Sequence, residues 1–210
     1  MGEEYLYFGN LGKNERQYAN PRFLGLALNP QHDREIKHDA RDPLPFESNS
    51  IEKIQSQDVF EHLPYELIPS VLDDVYRVLK KDGLFRLSVP DYRHPLLKSR
   101  CVYNSSGFIL ADLMMGGSLK YNQKSKAAEP FFQNNGDAHV WFPTYEQLLD
   151  VIVKSKIRMS SYLTFHQGFL SDDVFLVKRI PDDELFVMRS VENDPRSSGQ
   201  PLSLVVDFVK

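Results

Sequence analysis

IEKIQSQDVFEHLPYELIPSVLDDVYRVLKKDGLFRLSVPD, residues 51 to 91, is the stretch that decides the fold. Its opening, IEKIQS (51 to 56), places apolar residues at strand-like intervals. After Pro64, the residues Leu67, Ile68, Val71, Leu72, Val75, Val78 and Leu79 recur at the 3.6-residue period. This predicts a helix whose apolar stripe is wide enough to cover a sheet. Pro69 fits only the first turn, where its missing N–H is harmless, so the helix starts near Leu67. Lys80, Lys81 and Gly83 are expected to supply a cationic last turn and a left-handed stop. LFRLSV (84 to 89) follows as a strand closed by Pro90, and strand, helix, strand in this order predicts a parallel βαβ unit.

Upstream, the apolar runs at 5 to 8 and 23 to 28 end at Gly9 and at Asn29–Pro30, and both read as buried strands. Residues 9 to 22 between them are close to the shortest parallel crossover, so any helix there is short and confined to 13 to 18. A polar stretch through Asp42 and PLPFESNS (43 to 50) reads as loop. Downstream, 93 to 140 breaks the rhythm and reads as an insertion over the sheet, with one helix expected at 107 to 115. Met114 and Met115 on that helix are core, or else a docking face. Thr144 with Gln147 forms a capping-box pattern that starts a second helix. IRMSSYLTF (157 to 165), DVFLVKRI (173 to 180), ELFVMRSV (184 to 191) and SLVVDFVK (203 to 210) read as strands, antiparallel at least in part. The expected architecture is α/β: one domain over 1 to 210, a mostly parallel central sheet flanked by helices, and antiparallel C-terminal strands.

The composition narrows the function. Hydrophobic residues make up 41% and charged residues 26%, as in ordinary globular domains, and no run approaches the roughly 18 apolar residues of a membrane span. The formal net charge of -4 and scattered basic residues argue against nucleic acid as a partner. Cys101 is alone, so neither an intrachain disulfide nor a cysteine zinc site can form, and MGEEYLYFGN reads unlike a secretory leader. A cytoplasmic location is the expectation. A homodimer through the tail strands stays open.

The run DARDPLPFESNSIEKIQSQDVFEHLP (39 to 64), the helix end DDVYRVLKKDG (73 to 83) and LFRLSVPD (84 to 91) together resemble the methyltransferase type 11 group. The resemblance implies a Rossmann-like class I methyltransferase fold with S-adenosylmethionine as cofactor. In that family the first strand leads into a glycine turn against the methionine end of the cofactor; here the turn reads Gly9, Asn10, Leu11, Gly12, with leucine at a glycine place. The second strand would end in an acid for the ribose, where Ala27 and Leu28 stand instead. Asp39 matches the acid for the adenine amino group, and Ala40 adds a backbone N–H. Ser56, Gln57, Asp58 and Val59 match the turn that lines the methionine moiety.

Glu61 and His62 beyond that turn are the candidate catalytic pair, since His titrates near neutrality and a neighbouring carboxylate raises its basicity; the plainer reading is that they cap the helix. Asp91, Tyr92 and His94 at the end of the fifth strand, with His139 and Trp141, are expected to line the acceptor, or else to anchor the insertion. The six histidines contain no pair at the i, i+4 spacing of a helical metal site, so no metal is expected. The resulting expectation is methyl transfer to a small-molecule acceptor. The alternative is a noncatalytic binding or scaffold relative in which Leu11 and Ala27 mark the loss of the cofactor.

Overall fold

The computed structural model describes residues 5–132, 136–181 and 183–210, with no side-chain description for Asp183. In chain order the elements are β1 (Tyr5–Phe8), β2 (Phe23–Ala27), β3 (Glu35–Lys37), β4 (Ile51–Gln57), α1 (Ile68–Val78), β5 (Leu79–Pro90), α2 (Pro95–Lys98), β6 (Cys101–Tyr103), β7 (Ile109–Asp112), β8 (Gly117–Asn122), β9 (Ala127–Phe132), α3 (Tyr145–Lys154), β10 (Tyr162–Phe169), β11 (Phe175–Val177) and β12 (Ser203–Val209). One eight-stranded sheet runs β11-β10-β12-β5-β4-β1-β2-β3. β1 through β5 are parallel, and β12 is antiparallel to both β5 and β10. β1 and β4 lie side by side with Phe8 opposite Ser56, so their C-terminal turns open next to each other.

One face of the sheet is covered by α1 and α3. Ile68, Leu72 and Val75 of α1 and Leu148 and Ile152 of α3 are buried against Leu6, Phe8, Leu26, Ile54, Phe85 and Leu87 in one apolar core. This matches the periodic stripe, and Pro69 sits in the first turn of α1 as required. Thr144 caps α3 and accepts from the Gln147 amide. α1 ends at Val78, but Asp82 takes the left-handed conformation (φ 63°), contrary to the expectation for Gly83. A Cβ on Gly83 would sit 2.9 Å from the Lys80 carbonyl and 3.0 Å from that of Glu52, so close approach requires glycine there.

The opposite face carries no helix among the described residues. The 9–22 connection holds a single 3-10 turn, Arg16–Ala19, and residues 183–197 cross the face without a strand or an α-helix. The strand expected at 184 to 191 is absent: Asp183–Leu185 is a 3-10 turn. Side chains take up its backbone groups instead. The Phe186 carbonyl accepts from Gln17 and Gln55, the Leu185 carbonyl from Arg86, and the Met188 amide donates to Gln57. Of the neighbouring expected strands, 157 to 165 begins as a 3-10 turn before β10, and 173 to 180 shortens to β11.

The helix expected at 107 to 115 is replaced by two hairpins, β6–β7 and β8–β9. Asp112 is the reason: its carboxylate accepts from the Met114 amide, from the Tyr92 hydroxyl and from Arg100, which pulls the chain into a turn at 113 to 116. Met114 is exposed on that turn.

Candidate functional site

The chain leaves β1 toward β2 on one side and β4 toward β5 on the other, and a crevice opens where the two directions part. A cleft of about 240 Å³ lies there, lined by Tyr7, Phe8, Gly9, Asn10, Glu15, Gln57, Asp58, Val59 and Met188. Gly9 adopts φ 97°, and a Cβ on it would approach the Val59 methyl to 3.3 Å, so both conformation and space require glycine. Asp58 holds a left-handed conformation (φ 53°), which Asp adopts more readily than most residues with a side chain, with its amide donated to the Ser88 carbonyl.

Two carboxylates give the cleft its character. Glu15 Oε2 and Asp58 Oδ1 are buried and have no hydrogen-bond partner. Burial raises both carboxyls above the usual range. The other Asp58 oxygen meets Arg189 Nε at 3.0 Å. Buried acceptors without donors suit a ligand end that brings N–H groups or positive charge. Glu15, Met188 and Arg189 were not among the residues singled out from the sequence, because a polar loop residue and a distant tail carry no local signal.

Leu11 does not line this cleft. It is fully buried with Tyr5, Tyr7, Phe23 and Leu185 on the sheet face below. Its amide donates to Glu35 at 2.6 Å, while its carbonyl is 2.8 Å from His32 Nε2. Glu35 is therefore the residue that ties the turn to β3, and it also accepts from Asn10 Nδ2. The Gly9 amide donates to the Leu26 carbonyl, and Gly12 lies beside Glu15.

The residues expected to face a nucleoside do not line the cleft. Ala27 is buried and Leu28 is exposed beyond it. Asp39 is paired with Arg41, with Asp39 Oδ1 2.9 Å from Arg41 Nε, and that bonding holds its carboxyl below the usual range. Ala40 packs against the main core. Neither Asp39 nor Ala40 lines the cleft.

Past Asp58, the 3-10 turn Phe60–His62 carries Glu61 and His62, and neither caps α1, which begins at Ile68. Glu61 is fully buried, and burial, reinforced by the Asp58 charge, pushes its carboxyl well above the usual range. His139 is folded back from the insertion onto the pair, its ring 4.7 Å from that of His62. Burial, then the neighbouring His62, pushes His139 down to about 3, and burial also lowers His62, so both rings are neutral at pH 7. Tyr92 joins them through its hydroxyl, 2.5 Å from His139 Nδ1 and 2.6 Å from Asp112.

The structure thus brings Tyr92 and His139 to Glu61 and His62. The other three acceptor candidates serve the framework. Asp91 accepts from the Arg93 and Phe169 amides, His94 caps α2, and Trp141 is buried with its ring N–H donated to the Phe60 carbonyl.

The strand order, the antiparallel β12 and the cleft at the reversal point define a Rossmann-like, class I methyltransferase-like fold. Solved structures agree on that fold. A SAM-dependent methyltransferase of Archaeoglobus fulgidus superposes with TM-score 0.53 at 11% identity, covering 100% of this chain and 86% of that one. One from Methanosarcina mazei gives 0.52 at 14%, covering 100% and 92%. The type 11 family model, described as a methyltransferase domain, matches residues 18–87. The sphingolipid C9-methyltransferase of Komagataella phaffii is 33% identical over 88 residues, which are 40% of this chain and 18% of that protein. The type 11 match spans a third of this chain, and the solved structures carry the fold alone, a class I methyltransferase-like one. Among the described residues, no helix is long and apolar enough to cross a membrane.

Proposed function

We propose that the protein transfers the methyl group of S-adenosylmethionine to a small-molecule acceptor. The observation that carries this reading is the cleft at the β1/β4 reversal, with the unpartnered oxygens of Glu15 and Asp58 in residues that line it. Bound there, the cofactor would supply a methyl on a sulfonium for in-line displacement. Its ammonium would donate to Glu15 and Asp58, Gly9 would let backbone approach it, and Gln57 and Val59 would form the wall. Arg189, beside Asp58, would face its carboxylate. The base would lie toward Asp39 and Ala40, with Asp39 leaving Arg41 to accept from it. Ala27 and Leu28 offer the sugar no carboxylate, so affinity comes mainly from the methionine end.

The acceptor would lie toward His62, His139 and Tyr92, under the hairpins of the insertion. His62 is neutral and only partly buried, so it can take a proton from an acceptor hydroxyl or amine. The Ala138 carbonyl orients the His62 ring, and the Tyr92 hydroxyl orients that of His139. Much of the rate would come from placement and exclusion of water rather than from a strong base.

A second reading, a noncatalytic relative that no longer binds the cofactor, is favoured by the Asp39–Arg41 pair and by the Leu11 amide being taken by Glu35. Calorimetry with S-adenosylmethionine and its demethylated product separates the two. Saturable heat, weakened about tenfold or more in Asp58→Asn and in Glu15→Gln, is expected for methyl transfer. Folded protein giving no heat at millimolar ligand would leave the noncatalytic reading standing.

A further inference from the structure

Glu61, His62 and His139 each present one ligand atom to a common point, and these atoms lie within 4.8 Å of one another. Their hydrogen bonding fixes what those atoms carry. The Ala138 carbonyl, 3.0 Å from His62 Nδ1, can only accept, so Nδ1 bears the hydrogen and Nε2 the lone pair. The Tyr92 hydroxyl donates to Asp112, so it accepts from His139 Nδ1, and again Nε2 keeps the lone pair. His62 Nε2 is 3.9 Å and His139 Nε2 is 3.7 Å from Glu61 Oε1, too far for hydrogen bonds. Neither Glu61 oxygen has a partner, although the side chain is fully buried. Two imidazole lone pairs and a buried carboxyl without a partner therefore face one another across a gap, a polar arrangement that a cation would satisfy.

We propose that Glu61, His62 and His139 form a site for one divalent first-row transition ion, held through a Glu61 carboxylate oxygen and the two Nε2 atoms. Ligands at about 2.0–2.2 Å from an ion stand about 3.3 Å apart, so Glu61 Oε1, now 3.9 Å from His62 Nε2 and 3.7 Å from His139 Nε2, must close on each ring by roughly half an ångström, a rotamer-scale movement. Two imidazoles in three donors suit zinc, iron, cobalt or nickel rather than magnesium or calcium. Both rings are already oriented from behind, His62 by a carbonyl and His139 by the relay through Tyr92 to Asp112, which Arg100 holds at 2.7 Å. His62 is partly exposed and offers the way in. Three protein ligands leave an open position on a tetrahedral ion. Asp58, Asp137, Arg100 and Arg189 are the charged side chains around the site. The proposal deepens the acceptor-side reading, because His62 then acts as ligand instead of free base; cation binding itself needs no bound nucleoside.

The test is a titration of the chelator-stripped protein with Co²⁺, followed by visible absorption and calorimetry, with Zn²⁺ as competitor and Mg²⁺ as a separate arm. One equivalent of Co²⁺ is expected, displaced by Zn²⁺, with proton release because the ligands must be deprotonated. His62→Ala, at a partly exposed position, and the isosteric Glu61→Gln should lose at least about a hundredfold in affinity while keeping the far-UV spectrum. Tyr92→Phe should lose about 10–100-fold by freeing the His139 ring. No saturable binding of Co²⁺ or Zn²⁺ at about 1 mM by folded protein would overturn the site, as would undiminished binding by His62→Ala. Magnesium binding as tightly as cobalt would overturn the ion class. Metal binding without any heat from S-adenosylmethionine would sink the methyl-transfer reading alone.

Discussion

The two faces of the central sheet solve the same covering problem with different chemistry. The α1/α3 face is aliphatic and aromatic, and its helices dock through side chains that need no orientation beyond shape. The opposite face presents Gln55, Arg86 and Asp207 to an irregular tail, fully or almost fully buried, and directed hydrogen bonds hold the tail there beside the apolar contact of Leu185 with Tyr5, Tyr7, Leu11 and Phe23. Arg86 makes two bonds to Asp207, of 2.7 and 2.6 Å, and two more to the Leu185 and Pro181 carbonyls; His166 Nε2 is 3.0 Å from Asp207. The apolar face tolerates changes that keep volume, whereas the polar face fails when one partner is left unpaired.

Breaking the polar face should have the largest effect. Asp207→Ala strands the Arg86 guanidinium and is expected to cost about 3–5 kcal/mol in urea unfolding. The double change Arg86→Met with Asp207→Leu should recover most of that loss, because no charge then remains buried; a double variant as weak as the single one would show that the network itself holds the tail. On the apolar face, Leu72→Ala should cost about 2–5 kcal/mol, with no rescue by a second truncation nearby.

Acid separates the faces further. Burial would raise the Asp207 carboxyl, but its bonds to Arg86 and His166 outweigh that and hold it below the ordinary value of 3.8. A carboxyl depressed on folding stabilises fully above its unfolded pKa and loses that contribution as pH falls through the lower folded value. The unfolding midpoint should therefore drop below about pH 4, and the Arg86→Met, Asp207→Leu protein should lack that part of the drop. The smallest effect belongs to the end of α3. Thr144→Ala removes a cap whose contact with the Gln147 amide is 3.5 Å long, and about 0.5 kcal/mol is expected by thermal melting.

These differences also explain what could be read along the chain. α1 and α3 were legible because an amphipathic period repeats within one element, and β12 because an apolar run of strand length stands between turns. FILADLMM misled because its apolar spacing suits a helix, whereas Asp112 bonds to Tyr92 and Arg100, both remote in the chain, and turns the backbone there. ELFVMRSV misled in the same way, since glutamines and an arginine on distant elements supply the bonds that a neighbouring strand would have supplied. At the site, Gly9, Asn10, Gln57, Asp58 and Val59 were reached through the type 11 resemblance, but Glu15, Met188 and Arg189 were not.

Local periodicity, turn residues and a motif of about fifty residues determined the βαβ core and the type 11 resemblance, because each rests on neighbours in the chain, and the crevice beside β1 and β4 was expected from that resemblance. The tertiary structure alone decided that Leu11 packs beneath the cleft, that the tail takes the place of helices on one face, and that His139 meets Glu61 and His62. Those outcomes depend on where hydrogen-bond donors, acceptors and volumes from remote segments coincide, and such coincidences leave no periodic trace in one dimension.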